Sequence, residues 1–238
     1  MKKVAVISDV HGNAVALAAV LADLEPEQPD LIVSCGDLTW GPQPEETYEL
    51  ARGLNARFVR GNADRAVLEN VSETEREQWM QVHHTDEMRE FLGTFEEQLA
   101  VEIDGLGPVR FCHGSPRTDE ECVTPETPEE RVREFSVGVG ERVIVTGHVH
   151  IQFDREVAGI RSVNSGSVGL PYEGKPGAFW AMFGPDVEMR RTEYDLDETI
   201  ERYRASGQPN VEQIVEMMVE PPERREVIDH AEKVVFAG

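Results

Sequence analysis

Cysteine and positive charge are both scarce in this sequence. Only three cysteines, Cys35, Cys112 and Cys122, stand among 238 residues. They cannot all pair within one chain and form no CxxC spacing, which argues against a disulfide framework or a thiolate zinc site and suits a reducing compartment. Lysine and arginine together number 23 against 46 aspartates and glutamates, a formal net charge of -23. So acidic a surface repels duplex nucleic acid and anionic membranes at long range, and a polyanionic substrate needs cations held locally in a site. Long hydrophobic runs are missing as well: none approaches the roughly 20 residues of a membrane span. The opening "MKKVAVIS" meets Asp9 too early for a signal peptide. The expectation is a soluble, cytoplasmic protein without a membrane partner, and its 39% apolar content is ample for a buried core.

What is present begins with alternating elements. "VAVIS" (4 to 8) predicts a buried strand, and Val15, Leu17, Ala18, Val20, Leu21 and Leu24 predict a helix with a wide apolar face, broken by Pro26 and Pro29. "DLIVSCGD" gives a second strand, followed by a helix from about Glu45 to Leu54, and "RFVRGNAD" a third strand and turn. Residues 65–100 read as a charged helical insert. "LAVEI" and "VRFCH" then form a hairpin, a short helix runs to about Phe135, and "ERVIVTGHVH" is a further strand. Short strands around "FDREVAG", "IRSVNSGSVG" and "AFWAMFG" precede "EMRRTEYD" and C-terminal helices over about 197–238. No repeat or long linker divides the chain, so the expectation is one α/β domain over 1–238 built from two sheets with helices outside. The Glu-rich stretches read as solvated helix faces.

The ends of the apolar runs carry a second pattern. "SDVHGN" offers Asp9 and His11, "CGD" Asp37, "RGNAD" Asn62 and Asp64, "CHGS" His113, and "TGHVH" His148 and His150. Each group follows an apolar run and stands beside a glycine, and layered α/β sheets gather such loops at one edge. Any one of them has a bland alternative, a helix cap for Asp9 or Asp37, a core hydrogen bond for His113, a turn for Asn62. Together, carboxylate, amide oxygen and imidazole favour Mn, Fe, Zn or a related ion over a calcium cage or a structural zinc site. The candidate ligands outnumber the needs of one ion, and sharing through one carboxylate would hold two ions about 3.5–4 Å apart.

From Val4 to about Phe183 the sequence resembles the calcineurin-like metallophosphoesterases, and is most similar to their small prokaryotic phosphodiesterase branch. The resemblance rests on "SDVHGNAVAL", "GDLTWGPQPEE", "VRGNAD", "FCHGSPR", "VTGHVHI" and "VNSGSVGLPYEG". It implies a four-layer αββα sandwich of two mixed β-sheets flanked by helices. It also implies that Asp9, His11 and His150 bind one divalent ion, that Asn62, His113 and His148 bind a second, and that Asp37 bridges them. Mn or Fe is the first expectation, with Zn, Ni or Mg as alternatives. On this pattern Asp37, Asn62 and His148 are the catalytic candidates, and a hydroxide held between the ions attacks phosphorus in line.

The sequence departs from the family where many members carry a histidine after Gly-Asn, thought to protonate the leaving group. Ala63 stands there and has no proton to give, which favours phosphodiesters or activated esters over alkyl phosphomonoesters. His83 and His84 of the insert could substitute, although a solvated helix face is the simpler reading. Arg60, Arg65 and Arg117 flank the predicted ligands, and Arg117, following "HGSP", is with Asn62 the substrate-binding candidate. "NSGSVGLP" lacks the Lys-Ser/Thr of a P-loop and reads as a tight turn beneath the metal loops. Trp40 and Tyr172 line the cleft, stack a base or pack in the core. The expected activity is dimetal-dependent hydrolysis of a small phosphodiester, with a nucleotide among the candidates. Phosphomonoesterase, dinucleoside polyphosphate hydrolase and non-catalytic metal-binding scaffold are the alternatives.

Overall fold

A computed structural model of the chain describes residues 1–234. The first half reads β1 (Val4–Ile7), α1 (Ala14–Leu24), β2 (Leu31–Ser34), α2 (Pro44–Ala51), β3 (Ala56–Phe58), α3 (Asn62–Leu68), α4 (Glu75–His83) and α5 (Asp86–Leu92). Then come β4 (Gln98–Ile103), β5 (Gly107–Cys112), α6 (Glu129–Phe135), β6 (Val143–Thr146), β7 (Phe153–Val157), β8 (Ile160–Asn164), β9 (Ala178–Phe183) and β10 (Val187–Thr192). Helices α7 (Leu196–Ala205), α8 (Val211–Val219) and α9 (Arg224–Ala231) follow. Residues 235–238, inside the expected C-terminal helical stretch, lie outside the described residues.

The strands form two five-stranded mixed sheets, ordered β10-β9-β1-β2-β3 and β4-β5-β6-β8-β7. In the first, β1, β2 and β3 run parallel and β9 pairs antiparallel with β1. In the second, β5, β6 and β8 run parallel while β4 and β7 close the edges antiparallel. Side-chain alternation, period 2 along a strand, explains the layering. Val4 and Val6 of β1 join Val109, Phe111, Val143 and Val145 in the core between the sheets. Ala5 and Ile7 point the other way, onto Ala16, Leu17 and Val20 of α1. Ile144 of β6 likewise leaves the shared core to pack on Val132 and Phe135 of α6 and Ile228 of α9. Strands buried on both faces read as unbroken apolar runs, which is why "VAVI" and "VIV" carry so little polar punctuation. The αββα expectation therefore holds. A fourth cluster, Leu170, Tyr203, Ile214, Val215 and Met218, seats α7 and α8.

The structure corrects several boundaries. Helices of the insert end at Leu92, and Gln98 to Ala100 already belong to β4, because the Gly93-Thr94 turn stops α5 and Phe95 packs in the core. Helix α2 ends at Ala51, short of the expected Leu54. "EMRRT" is the edge strand β10, paired along its length with β9. Its alternation is masked by charged residues, as on many edge strands.

Candidate metal centre

The parallel strands aim their carboxyl ends at one edge of the sandwich. Asp9 follows β1, Asp37 follows β2, Asn62 opens α3 beyond β3, His113 follows β5, and His148 and His150 follow β6. The loops there are forced into unusual backbone. Asp9, His11, Asp37, His148 and His150 have φ of 52°, 47°, 55°, 67° and 57°, five of the nine non-glycine residues with left-handed backbone among the described residues. Each such residue costs of order 1–3 kcal/mol and persists only where its surroundings over-determine it. Here they do: Asp9 N donates to Gly36 O at 2.9 Å, His11 N to Asp37 O at 3.0 Å, and Gly169 N to Asp9 O at 3.1 Å. The "NSGSVGLP" segment thus packs directly beneath Asp9, with Ser167 Oγ donating to Asp9 O at 2.7 Å.

Three imidazoles share one orientation. Nδ1 of His11, His113 and His150 faces the carbonyl of Trp40, Cys35 and Leu170, at 3.2, 2.7 and 2.5 Å. A carbonyl only accepts, so Nδ1 carries the hydrogen and Nε2 of the neutral ring is left as a lone pair. Those lone pairs converge. His11 Nε2 lies 3.1 Å from His150 Nε2, and His150 Nε2 lies 3.2 Å from Asp9 Oδ1. His113 Nε2 lies 3.0 Å from Asn62 Oδ1. Asp37 Oδ2 sits 3.6 Å from His11 Nε2 and 3.5 Å from His113 Nε2. The His148 and His113 rings are 5.0 Å apart between centroids. Acceptors gathered against acceptors in a buried site repel one another unless a cation lies among them, either a metal ion or a proton held on His113. Asp9, His11 and His150 form one group able to hold an ion, and Asp9, Asp37 and His113 another. With Nδ1 fixed on a carbonyl and Nε2 presented, each ring has the arrangement usual for a metal-ligating histidine. The donor set fits divalent ions.

Charge follows the same division. Burial would raise Asp37, yet His113 beside it holds its carboxyl well below the usual range, and His150 lowers Asp9 in the same way. Burial presses His11 and His148 down to about 4. Burial also opposes charge on His113, but Asp37 and Asp9 reverse it and push that ring up to about 10.

Other residues hold the ligands in place. Asp64 accepts from the backbone of Asp37, Leu38 and Gly61 at 2.8, 3.0 and 2.9 Å, tying the Asp37 loop to the start of α3. Asp37 Oδ1 in turn accepts from Ala63 N at 2.9 Å, leaving Oδ2 to face the rings. The sequence alone leaves Asp64 without a partner; its place as the third residue of α3, reaching back to the helix start, is the available signal. Gly147 admits no side chain, because a Cβ would overlap Ser8 Oγ. That close approach lets His148 N donate to Asp9 at 3.0 Å.

His84 is not on a solvated face: it is buried, with Nδ1 donating to Met80 O at 2.7 Å and Nε2 2.9 Å from Thr39 Oγ1. Its link to Thr39, two residues past Asp37, anchors the insert to a metal loop. His83 is exposed and stacks on Trp79. Tyr172 stacks on the His150 ring at 4.6 Å, and Trp40 packs against the core behind α1.

A cavity of about 260 Å³ opens beside His113, lined by Arg60, Arg65, Gln98, Ser115 and Arg117. Its arginines are engaged by acids. Arg117 Nε meets the buried Glu121 at 2.7 Å, Arg65 Nε meets Asp119 at 2.7 Å, and Arg60 Nη2 meets Glu97 at 2.9 Å.

Residues 1–183 match the family model described as the calcineurin-like phosphoesterase superfamily domain. The chain belongs to that superfamily. Among the relatives of this phosphoesterase is an uncharacterised protein of Methanocaldococcus jannaschii, 30% identical over 227 residues, covering 84% of this chain and 90% of the relative. A solved metallophosphoesterase from Sphaerobacter thermophilus is 29% identical with a TM-score of 0.72, over 90% of this chain and 98% of that one. A hypothetical protein from Pyrococcus horikoshii shares the fold at 21% identity, with a TM-score of 0.76 over 94% and 100% of the two chains. No helix among the described residues is long and apolar enough to cross a membrane.

Proposed function

We propose that this phosphoesterase is a dimetal-dependent phosphodiesterase acting on a small substrate, with a nucleotide diester in the expected class. The observation that carries the reading is the convergence of the Nε2 atoms of His11, His113 and His150 on Asp9, Asp37 and Asn62 oxygens, with Nδ1 of each ring turned to a backbone carbonyl. Asp9, His11 and His150 would hold one divalent ion, Asn62, His113 and His148 a second, and Asp37 would be shared. The near-equal distances from Asp37 Oδ2 to His11 and His113 support that sharing. Mn or Fe is favoured by the mixed oxygen and imidazole set, with Zn, Ni or Mg as alternatives. Bound there, such ions would supply Lewis-acid stabilisation of charge on the phosphoryl oxygens and would lower the pKa of water.

The chain's own residues do the rest. Nδ1–H···O=C bonds fix the rings of His11, His113 and His150, Asp64 fixes the loop of Asp37, and Asn62 would present its amide to the phosphoryl group. Arg117 forms the wall of the cavity beside His113, where substrate would lie. Ala63 offers no proton to a leaving group, so esters whose leaving group departs as a weak base are the favoured class. The free cysteines suit a reducing, cytoplasmic setting.

Purified protein supplied with Mn²⁺ is expected to hydrolyse an activated aryl phosphodiester faster than an alkyl phosphomonoester, with bound metal measured on the same sample. Strong cleavage of alkyl monoesters would overturn the diester preference. No turnover across a panel of divalent ions would leave a metal-binding scaffold.

A further inference from the structure

The family match ends at residue 183, and α7, α8 and α9 lie beyond it. They nevertheless reach the candidate metal centre through one short loop, residues 170–174, which runs beside His150 and Gln152. Tyr172 N donates to His150 O at 3.1 Å, and Glu173 Oε1 accepts from Gln152 N at 2.5 Å. The same loop holds the His150 ring in two ways. Nδ1 donates to Leu170 O at 2.5 Å, and Tyr172 stacks on the ring at 4.6 Å with 19° between the planes. His11 and His113 instead take their carbonyls from Trp40 and Cys35, in the chain after β2.

The far side of the loop is fastened to the C-terminal helices. Arg224, the first residue of α9, donates from Nη1 to Glu173 Oε2 at 2.6 Å. The two oxygens of one carboxylate thus join α9 to the segment that carries His150, and the Glu173 side chain is only 5% exposed. Gly174 N donates to Pro222 O at 3.0 Å, two residues before Arg224. Apolar packing repeats the arrangement: Ile228 of α9 joins Val149 and Ile151, Leu170 joins Tyr203 of α7 and Ile214 of α8, and Tyr172 packs against both groups. A ligating imidazole is oriented by the partner of its other nitrogen, and loss of such a partner typically weakens metal binding about 10- to 100-fold.

We propose that Arg224 is a positioning residue for the His11 and His150 side of the centre: through Glu173 it holds the 170–174 loop in place, and the loop holds the His150 ring so that Nε2 faces Asp9 and His11. This rests on the reading of His150 as a metal ligand. The C-terminal helices thereby set the affinity of one of two ions while contributing no ligand themselves.

The metal-free protein gives the first readout. With histidine ring nitrogens isotopically labelled for NMR, and the buffer mildly alkaline so that an ordinary imidazole is neutral, His150 of the parent should show Nδ1 protonated and Nε2 bare. Comparison with His150→Gln assigns its signals. In Arg224→Met these signals should move toward a mixture of the two tautomers while those of His113 stay in place. Titration with Mn²⁺ gives the second readout: the variant should bind one of two ions up to about 10-fold more weakly and the other unchanged. Arg224→Lys keeps the charge and should recover part of both effects. Glu173→Gln, of the same shape as the parent side chain, serves as the test if the methionine variant fails to fold. A lower melting temperature with parental His150 signals and parental metal affinity would make the pair a stability contact and overturn the inference. Equal weakening of both ions, or a lysine variant as displaced as the methionine one, would overturn it too. Displaced His150 signals in a protein that binds no ion would support the positioning and overturn only the metal reading of the site.

Discussion

The cavity wall beside His113 and the helical insert treat arginine in opposite ways. Beyond His113, Arg60, Arg65 and Arg117 line a cavity, yet each is committed to a carboxylate, and Glu121, the partner of Arg117, is 1% exposed. In the insert, the buried Nε of Arg76 meets no acceptor. A guanidinium already paired has its donors and its charge engaged, so it shapes a wall. One left unpaired retains both for a ligand. Proximity to a predicted ligand, the criterion available in sequence, does not distinguish these cases; the acid on the other side of the arginine does.

The comparison is broken most completely at Asp37, which faces both the His11 and the His113 flank of the candidate centre. Asp37→Asn keeps the hydrogen bond to Ala63 N but removes the charge facing both His11 and His113. Activity should fall by more than the roughly 10²–10³-fold that loss of one transition-state hydrogen bond costs, with the fold retained by circular dichroism. His148→Ala should act likewise. Loss of activity on one substrate class alone would mean the flanks work independently. Asp64→Ala frees three backbone N–H groups in the Asp37 loop and touches no substrate. Its expected effect is about 10–100-fold weaker metal binding, read by competition with a chelator. Ala63→His then asks whether the missing proton donor sets the substrate class. A gain of up to about 10²-fold confined to esters with basic leaving groups is expected, and a uniform change over all leaving groups would contradict it.

Much of this candidate centre is legible in the sequence because the residues that would hold the ions stand at the ends of strands. Runs such as "VAVI", "LIVS" and "VIVT" are apolar on both faces, the loops after parallel strands gather at one edge, and Asp9, Asp37, His113 and the His148–His150 pair stand in those loops. What is not legible depends on pairs brought together across long stretches of chain. His84 looks solvated by its charged neighbours and becomes buried only through Thr39, 45 residues earlier. Arg117 follows a ligand motif, but Glu121 turns it aside. The strand β10 hides because its exposed edge is written in arginine and glutamate.

Arg117→Ala tests the engaged side of that contrast. Removing Arg117 leaves Glu121 buried without its cation, so the expected loss is stability, about 1–2 kcal/mol once the solvent screening of a partly exposed arginine is allowed for, with little change in KM. A large rise in KM without loss of stability would make Arg117 a substrate contact and erase the distinction.

The smallest effect is a pH dependence. Burial alone would raise the Glu121 carboxyl, but Ser115 and Arg117 outweigh it and hold the group below its ordinary value of 4.5. A carboxyl lowered on folding contributes stability that is fully present above its unfolded value and is lost as pH falls through the lower folded one. Glu121→Gln should therefore be less stable than the parent near neutrality, by about 1 kcal/mol, and the two denaturation curves should converge below pH 4.5. A stability difference that persists unchanged into acid would mean that the carboxylate's shape, and not its charge on Arg117, holds that flank together.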